Sequence, residues 1–128
     1  MAEIISFSLD KESKGIIEKI EKTIEFKNRS ELMRRALQLL LHESEELEAM
    51  QGHVDGIVVV THQEKGEREI AEIKHEFNDI ITTQVHNNMH EICMETFIVH
   101  GNAETVVSFV KKLKQNKAIL YTKIILIK

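Results

Sequence analysis

The side chains with the clearest chemical potential lie within one stretch of nineteen residues. His75, His86 and His90 are followed by Cys93, the single cysteine of the chain. Imidazole nitrogen and thiolate sulfur suit Ni, Cu, Zn or Co better than Mg or Ca. His86 and Cys93 flank a predicted hairpin, which brings them close without long-range assumptions. The stretch therefore predicts a transition-metal site, against the simpler interpretation of surface histidines and a core cysteine.

Four further histidines have weaker claims. His62 lies on the first predicted strand of the second module and could join an auxiliary surface site. For His62, as for His42, His53 and His100, the favoured interpretation is an exposed imidazole near a loop.

Composition limits what kind of protein can position these residues. The 128 residues are 42% hydrophobic and 30% charged, which is typical of one globular domain or two very small ones and excludes disorder. The net charge of −4 argues against indiscriminate nucleic-acid coating but allows local basic patches. A single cysteine excludes an internal disulfide. No segment approaches the roughly 20 apolar residues of a membrane span, so we expect a cytoplasmic protein with no membrane contact.

The charges divide the chain into two modules. Residues 1–42 carry eight basic and seven acidic groups, whereas residues 43–50 carry four glutamates. This acidic junction leads into Gln51, Gly52 and His53, the best candidate linker. We therefore expect one domain over residues 1–50 and another over residues 51–128.

The first module predicts a strand and two helices. Residues 3–9 alternate with the period of a half-buried strand. One face carries Ile5, Phe7 and Leu9, and the other carries Ile4, Ser6 and Ser8. Asp10 is a candidate cap for the first helix, and Asn28, three residues before Glu31, for the second. Because about 50 residues cannot bury enough surface alone, we expect a dimer whose two strands pair.

The second module predicts the order strand, helix, strand, strand, helix, strand. The predicted elements are strand 57–61, helix 67–77, strand 80–86, strand 93–99, helix 103–113 and strand 119–127. A turn is expected over Asn87–Glu91. This βαββαβ order is the ferredoxin-like arrangement, which hosts many functions. The whole chain is thus predicted to be α+β.

The strand-helix-helix module matches the ribbon-helix-helix pattern, whose dimeric ribbon enters the DNA major groove. Outward side chains of the ribbon would read base edges, and basic residues at the second helix start would hold phosphate. The candidate DNA-contacting residues are Ile4, Ser6, Ser8, Lys27, Asn28, Arg29, Ser30 and Arg34, with Arg35 nearby. The alternative is a solvated strand face beside a solvated turn.

The sequence resembles the nickel-responsive repressor family NikR along almost its full length. The resemblance rests on a first strand ending Phe-Ser-Leu-Asp and on the Asn28-Arg29-Ser30-Glu31 turn followed by Arg34. It also rests on the eleven-residue spacing of His75 and His86, and on Cys93-Met-Glu closed by Gly101.

The resemblance implies tetramers, in which two ribbon-helix-helix dimers flank a core of ACT-type domains. Such proteins bind Ni(II) in square-planar geometry and then a double-stranded DNA operator, repressing nickel uptake genes. It implies that His86 and Cys93 of one chain, with His75 of a neighbouring chain, are ligands to one Ni(II) per subunit. Zn, Co or Cu stay possible. It also implies that Ile4, Ser6 and Ser8 face the bases.

The sequence departs from the family pattern at three places. The family motif is His-x-His followed by five residues and Cys, whereas here the run is one residue shorter and Asn88 stands at the second His. The fourth ligand is therefore open among His90, Asn88 and water. At the family's interdomain cation site, Glu31 is present but Arg35 replaces the other carboxylate. Ile4 stands where the family often has Arg.

These observations predict a metal-responsive transcriptional repressor. The alternatives are a ribbon-helix-helix regulator that senses another metal or a small organic ligand, and an oligomeric metal-buffering protein. An enzyme is not expected, because no Gly-rich phosphate loop, nucleophile elbow or paired acid motif is present.

Overall fold

The computed structural model describes residues 3–127, which form two compact units divided between Glu45 and Glu46. The first unit contains α1 (Lys11–Ile24) and most of α2 (Arg29–Glu48). Sequence reasoning placed the domain boundary near residue 50, shortly after α2 ends.

Both helix starts in the first unit are capped as predicted. Asp10 Oδ1 accepts a hydrogen bond from the Ser13 amide at 2.7 Å, and this bond lowers the pKa of the Asp10 carboxyl. Asn28 Oδ1 accepts one from the Glu31 amide at 2.9 Å. Between the helices, Glu25 adopts a left-handed φ of 57° and ends α1. Side-chain oxygens thus satisfy amides that the helices themselves leave unpaired.

Residues 3–10 form neither helix nor strand within the single chain. The strand predicted over residues 3–9 needs a partner from a second copy, so it stays a prediction. Among the described residues of this unit, Leu32 alone is buried. Its large apolar side chains left exposed include Ile5, Phe7, Leu9, Ile16, Ile24, Leu37, Leu40 and Leu41. An apolar surface of this extent is typical of an interaction site.

The second unit has the predicted βαββαβ order. Its elements are β1 (His53–Gln63), a 3₁₀ turn (Glu64–Gly66), α3 (Glu67–Glu76), β2 (Ile81–Met89), β3 (Ile92–Asn102), α4 (Ala103–Gln115) and β4 (Ile119–Leu126). The four strands form one antiparallel sheet in the order β2-β3-β1-β4. This is the ferredoxin-like arrangement that the sequence predicted.

Helices α3 and α4 cover one face of this sheet, and the core lies between them. Alternate residues of β1 are buried, as expected for a strand with one face against helices. Phe97 of β3 meets Phe109 of α4 edge to face, with ring centroids 5.5 Å apart. Both rings are fully buried, so β3 packs closely against α4.

The predicted five-residue turn over Asn87–Glu91 is wrong. Strand β2 continues to Met89 and β3 begins at Ile92, so only two residues turn the chain. His90 takes the left-handed conformation, with φ 63°. Asn87 and Asn88, which suggested a loop, lie within β2. A longer loop is not needed, because two residues are enough to join antiparallel strands.

None of the helices in residues 3–127 combines the length and the apolar character needed to cross a membrane.

Candidate metal centre

The hairpin of β2 and β3 brings the predicted ligands together through its register. Asn88 lies directly opposite Cys93, and His86 lies opposite Glu95. Cys93 is also opposite His62 on β1. Directly paired residues, and residues two apart on a strand, share a face of the sheet. All five therefore lie on the face that the helices cover.

Glu67, the first residue of α3, completes a group that we call the thiol cluster: Glu67, His86 and Cys93. Their ligand atoms all lie within 4.8 Å of one another. His86 Nε2 is 3.7 Å from Glu67 Oε1. Cys93 is fully buried, whereas the side chains of His86 and Glu67 are 35% and 59% exposed. The thiol cluster is thus closed on the sulfur side and open to a further donor on the other.

A buried hydrogen-bonded pair supports the thiol cluster from the side of β1. His62 Nε2 lies 2.8 Å from Glu95 Oε2, and both side chains are almost fully buried. His62 Nδ1 lies 2.7 Å from the Gln63 carbonyl oxygen, so both ring nitrogens face oxygens. Glu95 Oε1 accepts a hydrogen bond from Gln84 and lies 3.6 Å from His86 Nδ1. Glu95 therefore lies beside the imidazole of the cluster, on the side where carboxylates support metal-binding histidines elsewhere.

The electrostatics of the thiol cluster favour a cation. Burial raises the pKa of the Cys93 thiol, and the negative charges of Glu67, Glu64 and Glu95 raise it further. The same charges that disfavour an uncompensated thiolate would stabilise a positive ion beside it. One imidazole, one thiol and one carboxylate also form a donor set that Zn(II) and related ions accept. These residues fit a transition-metal ion.

Two of the predicted ligands do not join this group within one chain. His75 lies in the last turn of α3 and is exposed, outside the cluster. His90 occupies the two-residue turn and is also exposed. Asn88, at the position of the family's second histidine, lies on the same face of the sheet as Cys93. In the single chain, the structure thus brings together His86 and Cys93 from the prediction.

Sequence reasoning missed Glu67 and Glu95 and misjudged His62. We expected His62 to be an exposed imidazole, but it is completely buried against Glu95. A signal for Glu95 was present, because it lies two residues after Cys93 and so shares its face. Glu67 carried a weaker signal, since an acidic residue at a helix start is common without any ligand.

The predicted DNA-contacting residues lie in the first unit, where several have partners. Arg29 Nε donates to Glu21 at 3.1 Å, and Arg34 pairs with Glu31. Asn28 caps α2 through its side-chain oxygen. Exposed ion pairs are worth only about 0–1 kcal/mol, so a phosphate could replace either acidic partner. The remaining candidates are exposed: Ile4, Ser6, Ser8, Lys27 and Ser30.

Comparisons with known proteins agree with this architecture. The family described as "NikR C terminal nickel binding domain" matches residues 56–127, and "Ribbon-helix-helix protein, copG family" matches residues 3–44. A protein of Saccharolobus solfataricus is 32% identical over 127 residues, covering 98% of this chain and 93% of its own length. One of Methanococcoides burtonii is 25% identical over 117 residues, covering 86% and 84%. Both carry the name "Putative nickel-responsive regulator".

Solved structures resemble the second unit. An uncharacterized protein of Thermotoga maritima aligns with a TM-score of 0.56 at 19% identity, covering 59% of this chain and 99% of its own. The ACT domain of a GTP pyrophosphokinase from Chlorobium tepidum aligns with a TM-score of 0.51 at 16% identity, covering 57% and 99%. At such identities the likeness concerns the fold, which is ACT-like. Since the family match spans residues 56–127 and a relative 32% identical is covered almost completely, the chain belongs to the NikR family.

Proposed function

We propose that this protein is a metal-responsive, sequence-specific DNA-binding repressor of metal uptake genes, with Ni(II) as its effector, acting in the cytoplasm. The observation that carries the proposal is the thiol cluster, in which His86 and Cys93 meet at the position where a NikR-family chain is expected to bind metal. The exposed apolar surface of the first unit supports a partner copy for the DNA-binding half.

The thiol cluster would hold one ion per subunit. His86 and Cys93 supply nitrogen and sulfur, and His75 of a neighbouring chain would supply a second nitrogen. Glu67 is the best candidate for the fourth donor, because its carboxylate already lies within 4.8 Å of the other two. His90 is the rival fourth donor. With His75 from a neighbouring chain, the site would link two chains of the proposed homotetramer.

Zn(II) is the strongest competitor for Ni(II) as effector, with Co and Cu also possible. The family's second histidine is replaced by Asn88, an amide opposite Cys93. If Glu67 takes its place, one nitrogen donor is exchanged for oxygen. Zn(II) accepts thiolate, imidazole and carboxylate in tetrahedral sites, whereas square-planar ions favour strong nitrogen and sulfur donors. The Zn(II) alternative therefore rests on the replacement of one residue.

The DNA-binding half would be assembled from two copies. Residues 3–9 of each copy would pair as a ribbon, burying Ile5, Phe7 and Leu9 and presenting Ile4, Ser6 and Ser8 to the major groove. The cluster at the start of α2 would hold phosphate through Lys27, Asn28, Arg29, Ser30 and Arg34. A metal ion that binds one arrangement of the tetramer better than another would shift the population towards it. The difference in metal affinity between the two arrangements would couple metal binding to operator binding.

The test combines metal titration with operator binding at fixed salt. Calorimetry with Ni(II) and Zn(II) gives affinity and stoichiometry, and gel shifts on genomic fragments give DNA affinity with and without metal. We expect Cys93→Ser to lose tight binding and metal-dependent DNA binding. Loss with His90→Ala and retention with Glu67→Gln would make His90 the fourth donor.

Two outcomes would contradict the proposal. If DNA affinity is unchanged across saturating Ni(II) and Zn(II), metal does not regulate the protein. If metal binds tightly but no genomic fragment is retained, a metal-buffering oligomer is the better description. Retention of full metal affinity by Cys93→Ser would remove the thiol from the site.

A further inference from the structure

A second group of ligand-type side chains lies on the other face of the sheet. His53 and Asp55 are two residues apart on β1, and His100 on β3 lies directly opposite Asp55. We call these residues the His-Asp cluster. Because they alternate with the buried positions of β1, their side chains point away from the helices. None belongs to the thiol cluster.

The ligand atoms of the His-Asp cluster converge on one point. His53 Nε2 lies 3.0 Å from His100 Nδ1 and 3.3 Å from Asp55 Oδ1. His100 Nδ1 is also in direct contact with Asp55 Oδ1. Nitrogen ligands lie about 2.0–2.1 Å from Zn(II), so neighbouring ligands in octahedral or tetrahedral arrangements are about 2.8–3.4 Å apart. The two longer separations match that spacing.

Hydrogen bonds alone do not satisfy this arrangement. Three atoms make three close contacts, but the Asp55 carboxylate carries no proton and each facing imidazole nitrogen carries at most one. If His53 and His100 both donate to Asp55, no proton bridges the 3.0 Å contact between the two imidazole nitrogens. A cation at the centre accepts lone pairs from all three atoms at once. The imidazole rings, inclined at 69°, direct different edges towards the shared point.

We propose that His53, Asp55 and His100 form a second cation site, which takes a divalent ion of the Zn(II) class independently of the thiol cluster. The donor set is two imidazoles and one carboxylate, which transition metals accept and Mg or Ca do not prefer. The three side chains are 40–60% exposed, so water completes the coordination. The inference stands whether or not the chain is a metal-responsive regulator.

An ion at this site would tie the first residue of β1 to the end of β3. The two strand ends are already joined nearby, where the Ala103 amide donates to the Gly52 carbonyl at 2.8 Å. Gly52 precedes β1 with a left-handed φ of 65°, a conformation that favours glycine. A bound ion would therefore fix the point at which the chain enters β1.

The experiment uses the full chain carrying Cys93→Ser, so that the thiol does not dominate the titration. Zn(II) alone is titrated by calorimetry, and the imidazole ¹⁵N resonances of His53 and His100 are followed by NMR. We expect one ion per chain, with both imidazoles shifting at the same equivalence point. Adding His100→Gln or Asp55→Asn should weaken this binding by at least about tenfold. Loss of a residue that only supports a ligand already lowers metal affinity by about that factor, and loss of a direct ligand lowers it further.

His42→Ala in the same background is the matched control, because His42 is an exposed histidine outside both clusters. It should leave the Zn(II) affinity unchanged. The proposal is overturned if His100→Gln binds Zn(II) as tightly as the control, or if the resonances of His53 and His100 do not move. Circular dichroism of each variant separates ligand loss from unfolding.

Discussion

The thiol cluster and the His-Asp cluster lie on opposite faces of one sheet and differ in what surrounds them. Cys93 is fully buried and lies near Glu64, Glu67 and Glu95, whereas the His-Asp cluster is 40–60% exposed. The thiol cluster includes sulfur and has room for a donor from another chain. The His-Asp cluster already has three converging donors. Burial and sulfur suit tight, selective binding, and open donors suit weaker binding that depends on free ion concentration.

The largest contrast should appear in DNA binding. Cys93→Ser is expected to abolish the metal-dependent gain in operator affinity, because the thiol cluster is the proposed effector site. His100→Gln is expected to leave that gain intact, since the second site is separate. Gel shifts at fixed salt with and without Ni(II) make the comparison. Equal loss in both variants would mean that the two clusters act as one site.

Substitutions near the two clusters should also differ in their effect on the free energy of unfolding. Glu95→Ala leaves the buried His62 imidazole without its hydrogen-bond partner, and leaving a buried polar group unsatisfied typically costs about 1–3 kcal/mol. Asp55→Ala removes an exposed partner and should barely change the urea midpoint in metal-free protein. Urea denaturation followed by circular dichroism measures both. A large effect of Asp55→Ala without metal would show that its hydrogen bonds stabilise the strand ends by themselves.

Glu67→Gln tests whether the structurally found carboxylate is a metal ligand. The amide keeps the shape of the side chain but loses its charge. We expect the metal affinity of the thiol cluster to fall by at least about tenfold, with the His-Asp cluster unaffected. Glu64→Gln is the matched control, because the Glu64 charge also raises the pKa of Cys93 but Glu64 is outside the thiol cluster. If both variants lose the same affinity, Glu67 contributes electrostatics and not a bond.

The ease of predicting each cluster from sequence follows from chain distance. Cys93 and His86 are close along the chain and joined by a hairpin, so local pattern reasoning finds them. Asp55 and His100 are 45 residues apart, and their contact exists only because of the register between β1 and β3. The fold class and element order followed from hydrophobic period and capping residues. The length of the turn did not, because asparagine is compatible with both loop and strand.

The burial of His62 shows the same limit for a single residue. His62 was expected to be an exposed imidazole near a loop. The alternation of β1 places it on the face of Val58 and Val60, where Glu95 pairs with it. A polar residue at a buried strand position is satisfied by a partner from another strand, and that partner is set by register. The residues next to His62 in the sequence do not identify that partner.

The smallest contrast concerns pH. Burial raises the pKa of Cys93, so metal uptake by the thiol cluster must release the thiol proton, and affinity should rise by about tenfold per pH unit below that pKa. His100 lowers the pKa of Asp55, which is therefore ionised well below neutrality and releases no proton on binding. The folding stability that Asp55 contributes is present above its unfolded pKa and is lost as pH falls through the lower folded value. Zn(II) affinity can be measured from about pH 7.5 to about pH 8.5, above the ordinary imidazole pKa of about 6.5. The affinity should rise steeply with pH for His100→Gln and only slightly for Cys93→Ser. Equal slopes would mean that the thiol is already ionised before metal binds.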